Sequence, residues 1–136
     1  MRSRAMSSVT LTLTMLLLAV SAVAAPPGPA KGTAMATFAG GCFWCMEEAF
    51  EKVEGVLSAT SGYMGGTVVN PSYEEVSAGR TGHAESVEVV YDPAKVSYQK
   101  LLDAFWRNVD PVTPNAQFCD HGSQYRSAVF FQNDEE

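Results

Sequence analysis

The chain has 136 residues, with 15 acidic against 9 basic side chains and a formal net charge of −6. That balance argues against nucleic acid or an anionic membrane as partner, and the length allows one domain. Three cysteines are an odd count that makes no disulfide scaffold and fits a redox-active set.

Arg2 and Arg4 precede an apolar run over residues 11–20, and Ala22-Val23-Ala24 supplies a small-residue cleavage pattern. Residues 1–24 therefore read as a signal peptide. The run is short for a membrane span; the competing reading is an uncleaved N-terminal anchor. Residues 25–33, opening on APPGPAKG, read as a Pro/Gly linker. The expectation is an exported protein, periplasmic or secreted, with its folded domain over residues 34–136. An oxidising compartment drives thiols toward disulfide, so an enzyme there needs a dedicated reductant.

The folded part opens with a short apolar segment, 34–39, that predicts a strand. Gly40-Gly41 allows a tight turn into a helix at Cys42. Met46, Ala49, Phe50 and Val53 recur at helical spacing, with Glu47, Glu48, Glu51 and Lys52 opposite. Residues 56–63 predict a second strand, followed by a long Gly-rich loop. Ser72 is the N-cap of a short helix to residue 78, with Glu75 as its capping-box partner.

Residues 83–91 alternate, with Glu85, Val87, Val89 and Tyr91 on one face and Ser86, Glu88 and Val90 on the other. Ser97 starts a helix whose buried stripe is Leu101, Leu102, Phe105 and Trp106. Residues 109–122 read as a loop, and 124–131 as a last strand. The order β-α-β-(short α)-β-α-β predicts a two-layer α+β plait of ferredoxin type, a mainly antiparallel sheet with helices on one face.

The most informative residues are Gly41-Cys42-Phe43-Trp44-Cys45. A cysteine at a strand-to-helix junction meets unpaired N–H groups and the positive end of the helix dipole, which favour thiolate. Two large aromatics follow it at once. They suit an apolar pocket beside a reactive sulfur and serve a metal loop poorly. The chemistry expected is thiol redox on a substrate with a small apolar group.

Five segments then resemble, in order, those of the A-type peptide methionine sulfoxide reductases: Gly41-Cys42-Phe43-Trp44, Ser61-Gly62-Tyr63-Met64-Gly65-Gly66, Asn70-Pro71-Ser72-Tyr73, Thr81-Gly82-His83-Ala84-Glu85, and residues 120–127 (DHGSQYRS). The resemblance implies thiol-dependent reduction of the S epimer of methionine sulfoxide, free or in protein. It implies Cys42 as nucleophile, and Phe43 and Trp44 as the walls for the substrate methyl. Glu85, Tyr73, Asp120 and Tyr125 would surround the sulfoxide oxygen. It also implies no bound cofactor or metal, a thioredoxin-like protein or dithiol as electron donor, and a monomer.

Many relatives have Gly where this chain has Cys45, and carry the recycling cysteine in a C-terminal tail. The chain stops at Glu136, so the closing helix and tail are expected to be absent, a C-terminal truncation. The resolving thiol is then Cys45, Cys119 or an outside thiol. Cys119 is slightly favoured here, on the expectation of a flexible loop. The competing functions are a CxxC soft-metal-binding module of ferredoxin-like fold, a thioredoxin-type oxidoreductase, and an inactive truncated remnant.

Overall fold

The computed structural model describes residues 30–133. The expected signal peptide and most of the expected linker lie outside the described residues. The elements are β1 (Ala34–Gly40), α1 (Phe43–Glu51), β2 (Val56–Met64), α2 (Tyr73–Ser77), β3 (Ala84–Tyr91), α3 (Tyr98–Trp106), β4 (Ala116–Gln117), β5 (Asp120–His121) and β6 (Ser127–Phe130). A single 3-10 turn, Ser123–Tyr125, precedes β6.

Four strands form one sheet in the order β2-β3-β1-β6. Every pair is antiparallel. The fold is therefore α+β with an antiparallel sheet.

Strand alternation explains the core. Ala36 and Phe38 of β1, with Val87, Val89 and Tyr91 of β3, join Met46 and Phe50 of α1 and Leu101 and Phe105 of α3 in one buried cluster. Phe38 is its centre. Its ring stacks on Phe50 at 4.9 Å and on Phe105 at 5.4 Å between centroids, so one β1 side chain joins both long helices. Trp106 departs from the expected stripe and is 49% exposed. It lies one residue past Phe105, which turns it about 100° off the buried line of a 3.6-residue helix. It still packs edge-on against Phe105 at 4.8 Å.

Two polar devices fix the helices. The Ser61 N–H donates to the Glu47 carboxylate at 2.9 Å, and the Ser61 hydroxyl binds the same oxygen. This ties α1 to β2. The short α2 has the predicted capping box: Ser72 Oγ accepts from Glu75 N at 3.3 Å, and Ser72 N donates to the Glu75 carboxylate at 2.8 Å.

The β1–α1 corner has no room for side chains. A Cβ on Gly40 would stand 2.6 Å from Val109, and one on Gly41, at φ +93, 2.6 Å from Gln117. Two glycines let the chain end its strand against these neighbours and enter the helix at Cys42.

Residues 109–122 are more ordered than the sequence predicts. Ala116 pairs with His121 and Gln117 with Asp120, leaving Phe118 and Cys119 as the tip of a small hairpin. Gln117 braces it. Its side chain accepts from Asp110 N at 2.7 Å and donates to Asp110 O at 2.8 Å and Ser127 Oγ at 2.7 Å.

Candidate active site

The sheet register gathers the candidate residues at one end. Tyr63 on β2 lies directly across from Glu85 on β3. Gly40, at the end of β1, pairs with Ser127 at the start of β6. Tyr125 therefore enters two residues ahead of Ser127, and Cys42 two residues beyond Gly40.

Cys42 is the N-cap of α1, with φ −55 and ψ 116 and no side-chain capping bond. Its carbonyl accepts from Cys45 N at 3.1 Å and Met46 N at 3.2 Å. The first N–H of a helix has no acceptor within it. Here that group, Phe43 N, donates to the Glu85 carboxyl at 3.1 Å. Glu85 comes from another strand and is only 2% exposed. Its carboxyl thus sits against the residue that follows Cys42.

Burial pushes the Glu85 carboxyl above the ordinary carboxylate range. The Phe43 N–H bond opposes this, and the negative charge of Asp120 adds to it. Burial also raises the Tyr125 phenol, helped by the charges of Glu85, Asp120, Tyr73 and Cys42. Glu85, Asp120, Tyr73 and Cys42 thus all lie near enough to Tyr125 for their charges to act on it.

Aromatic rings form the wall. Phe43 lies 5.2 Å from Trp44, 5.6 Å from Tyr63 and 6.4 Å from Tyr73, and Trp44 stacks on Tyr73 at 6.0 Å. Phe43 is buried, whereas Trp44 is 61% and Tyr73 44% exposed. The wall is a buried ring with two exposed rings as its lip.

Cys42 has a second flank. An open cleft of about 280 Å³ is lined by Cys42, Cys45, Asn108, Arg107, Phe118 and Asp120, among others. Cys45 is exposed, and the neighbouring Cys42 thiol, followed by burial, pushes its own thiol up. Cys119 is exposed at the hairpin tip, and its two neighbours line the cleft while it does not. Among the described residues, no three His, Cys, Asp or Glu side chains stand together as a metal site.

The family model for peptide methionine sulfoxide reductase matches residues 34–136. The chain belongs to the peptide methionine sulfoxide reductase family. It is 56% identical over 108 residues to "Peptide methionine sulfoxide reductase MsrA" of Methanoculleus marisnigri, covering 79% of this chain and 66% of that protein. The protein of the same description from Methanococcoides burtonii is 54% identical, with 73% and 65% covered. Methionine sulfoxide reductase A of Corynebacterium diphtheriae superposes with a TM-score of 0.75 at 38% identity, covering 78% of this chain and 50% of that one. The reduced form of Mxr1 from Saccharomyces cerevisiae gives 0.72 at 34% identity, with 76% and 62% covered. The chain thus spans about two thirds of the length of the first two relatives.

Beside the reductase-family residues named from sequence, the structure adds Tyr63. Its ring meets Phe43, and burial followed by the Glu85 charge raises its phenol. The signal was the cross-strand register, since Tyr63 lies opposite Glu85 only once β2 and β3 are paired. Arg126 donates to Ser123 O at 2.8 Å and Gly82 O at 3.1 Å, joining two loops at the site. His83 is structural: its ring accepts from Gly66 N at 3.2 Å and meets Val68 O at 2.8 Å, holding the loop after β2.

Proposed function

We propose that this chain reduces the S epimer of methionine sulfoxide, free or in proteins, to methionine by thiol chemistry. The observation that carries the reading is Glu85: a buried carboxyl with weakened acidity, held on the N–H next to Cys42. A sulfoxide sulfur accepts a thiolate only as its oxygen gains a proton. A carboxyl that keeps its proton at this position is the acid the step requires.

In this step Cys42 thiolate attacks the sulfoxide sulfur and Glu85 gives its proton to the oxygen. The S–O bond of the substrate breaks, methionine leaves, and Cys42 carries the oxygen as a sulfenic acid. Tyr125, Tyr73 and Asp120 surround the oxygen, the phenols as hydrogen-bond donors. Phe43 and Trp44 receive the S-methyl, where sulfur–aromatic contact is worth about 0.3–1.5 kcal/mol. A second thiol, Cys45 or Cys119, condenses with the sulfenic acid to a disulfide and water. A thioredoxin-like dithiol then restores both thiols.

Several further features fit this reading. The strand order β2-β3-β1-β6 with antiparallel pairs is that of a ferredoxin-like plait, which we take the domain to be. The leading segment supports export to the periplasm or outside. A monomer suffices, since one chain supplies every group the step uses. Neither the family nor the aromatic wall supports the soft-metal carrier.

Single turnover tests the proposal. The reduced chain, given a racemic sulfoxide without added reductant, is expected to release one equivalent of methionine from the S epimer, and Cys42→Ser none. Release of nothing by the wild-type chain would mean an inactive remnant.

A further inference from the structure

Among the described residues three rings meet Phe43, and they differ in what carries them. Trp44 stands in the first turn of α1 and Tyr73 opens α2, and both are exposed. Tyr63 is half-buried, stands on β2 and packs against the core. Building on the reductase reading above, we propose that Tyr63 is a positioning residue. Its ring holds Phe43 from the sheet side, and so fixes a pocket that takes the S-methyl of methionine sulfoxide and disfavours a longer S-alkyl group.

The sheet makes Tyr63 a fixed support. β2 pairs with β3 residue by residue from Ser58 to Met64, and Tyr63 stands directly opposite Glu85. Such partners share a face of the sheet, with Cβ atoms about 4.5–5.5 Å apart. Glu85 in turn takes the N–H of Phe43 at 3.1 Å. Phe43 is thus held twice. Its backbone rests on Glu85, and its ring meets Tyr63 at 5.6 Å between centroids, with the planes inclined by 34°. The two supports are cross-strand neighbours, so neither shifts without the other.

A second rung lies one turn further along α1. Phe43 and Glu47 are four apart and share a helix face, while Tyr63 and Ser61 are two apart and share a strand face. Glu47 accepts from Ser61 N at 2.9 Å and from the Ser61 hydroxyl. The polar rung limits how far α1 can slide along β2. The aromatic rung sets how deep Phe43 sits. Burial, followed by the charges of Glu85, Tyr73 and Glu74, raises the Tyr63 phenol. Tyr63 therefore packs beside the carboxyl as a neutral ring, and its bulk does the holding.

The consequence is steric. The substrate sulfur meets Cys42 while its alkyl group lies on Phe43 and Trp44. One more methylene reaches about 1.5 Å further. Trp44 is exposed and can give way toward solvent, but Phe43 is buried with Tyr63 filling the space on its sheet side. An ethyl group must displace both rings, and close-packed side chains resist that.

The test compares methionine-S-sulfoxide with ethionine-S-sulfoxide, as free amino acids, on the full chain. The wild-type chain is expected to favour the methyl compound in kcat/KM by about tenfold or more. Tyr63→Leu keeps an apolar side chain but empties the ring's place, and should lower that preference about tenfold. Tyr63→Ile, which suits a strand, should do the same. Tyr63→Phe restores the ring and should keep the wild-type preference. A ratio of two substrates is independent of the fraction of protein that is folded, so a variant that is merely less stable leaves it unchanged. An unchanged ratio in the Leu and Ile variants, a ratio lost in Tyr63→Phe, or a wild type that does not discriminate overturns the proposal.

A binding arm separates this proposal from the reductase reading. Cys42→Ser is titrated with the same two sulfoxides and followed by NMR. The ethyl compound is expected to bind about tenfold more weakly, and adding Tyr63→Leu should remove the difference. Discrimination in binding, with no methionine released by the wild-type chain, supports the Tyr63 pocket and defeats the reductase reading. Equal binding of both sulfoxides by a chain that does release methionine defeats the pocket and leaves the reductase reading standing.

Discussion

The two flanks of Cys42 are built from different materials. The flank towards the sheet is a floor of strand residues, Tyr63 and Glu85, paired across β2 and β3, under the rings of Phe43, Trp44 and Tyr73. The other is walled by the end of α3 and the small hairpin, with polar groups and one exposed aromatic, Phe118. A sheet floor holds a buried carboxyl whose pKa burial raises. A hairpin wall leaves a sulfur open to solvent. On the proposed function, the contrast teaches that substrate chemistry and thiol exchange, which need opposite degrees of exposure, would be served by one cysteine standing at their boundary.

The sharpest way to break that contrast is Glu85→Gln. We expect methionine release to fall by about 10²–10⁴-fold, the usual span for a general acid. In the wild-type chain the rate should fall as pH rises through the raised Glu85 pKa, because the protonated form is the one used; Gln removes that limb. Stability carries the same sign. A carboxyl whose folded pKa is raised holds its proton more tightly than in the unfolded chain. Its neutral form is fully accommodated below the unfolded pKa, and stability is lost as pH rises through the folded value. Denaturant titrations across that range should show the loss in wild type and not in Glu85→Gln.

On the other flank, Gln117→Ala leaves the Asp110 amide and carbonyl without their partner. It should cost about 1–3 kcal/mol of stability, the penalty of stranded buried polar groups, read by equilibrium unfolding. A smaller effect is expected from Ser72→Ala, which removes the cap of α2. About 1 kcal/mol is lost, and KM rises more than kcat falls, because Tyr73 begins that helix and forms the lip of the pocket. An equal fall in kcat would mean that the loosened Tyr73 phenol costs the chemical step as much as it costs binding.

Much of this was legible in the residues. Period and caps were strong over β1, α1, β3 and α3, and Ser72 with Glu75 announced α2 before any coordinates. Cys42 at a strand-to-helix corner, and Glu85 within Gly82-His83-Ala84-Glu85, marked the centre of the site. What could not be read depended on distant partners. The β4–β5 hairpin has two-residue strands, too short for any period, and its brace is the tertiary bonding of Gln117 to Asp110 and Ser127. Tyr63 carries no local sign of its place, which follows from strand register alone. Trp106 is apolar and adjoins the buried stripe of α3 in sequence, yet the helical turn from Phe105 carries it to the surface.

Among the described residues, β6 has a single hydrogen-bonded neighbour, β1, while β3 is gripped on both sides. Tyr125 reaches the site just ahead of the rim strand and Glu85 comes from the doubly held one. Deuterium uptake should therefore fall in a gradient across the end that holds the candidate site, quick at residues 127–130 and slow at 85–89. The phenol would breathe while the acid stays still, so that, on the proposed function, a bulky oxidised polypeptide would find a yielding edge beside a fixed proton donor.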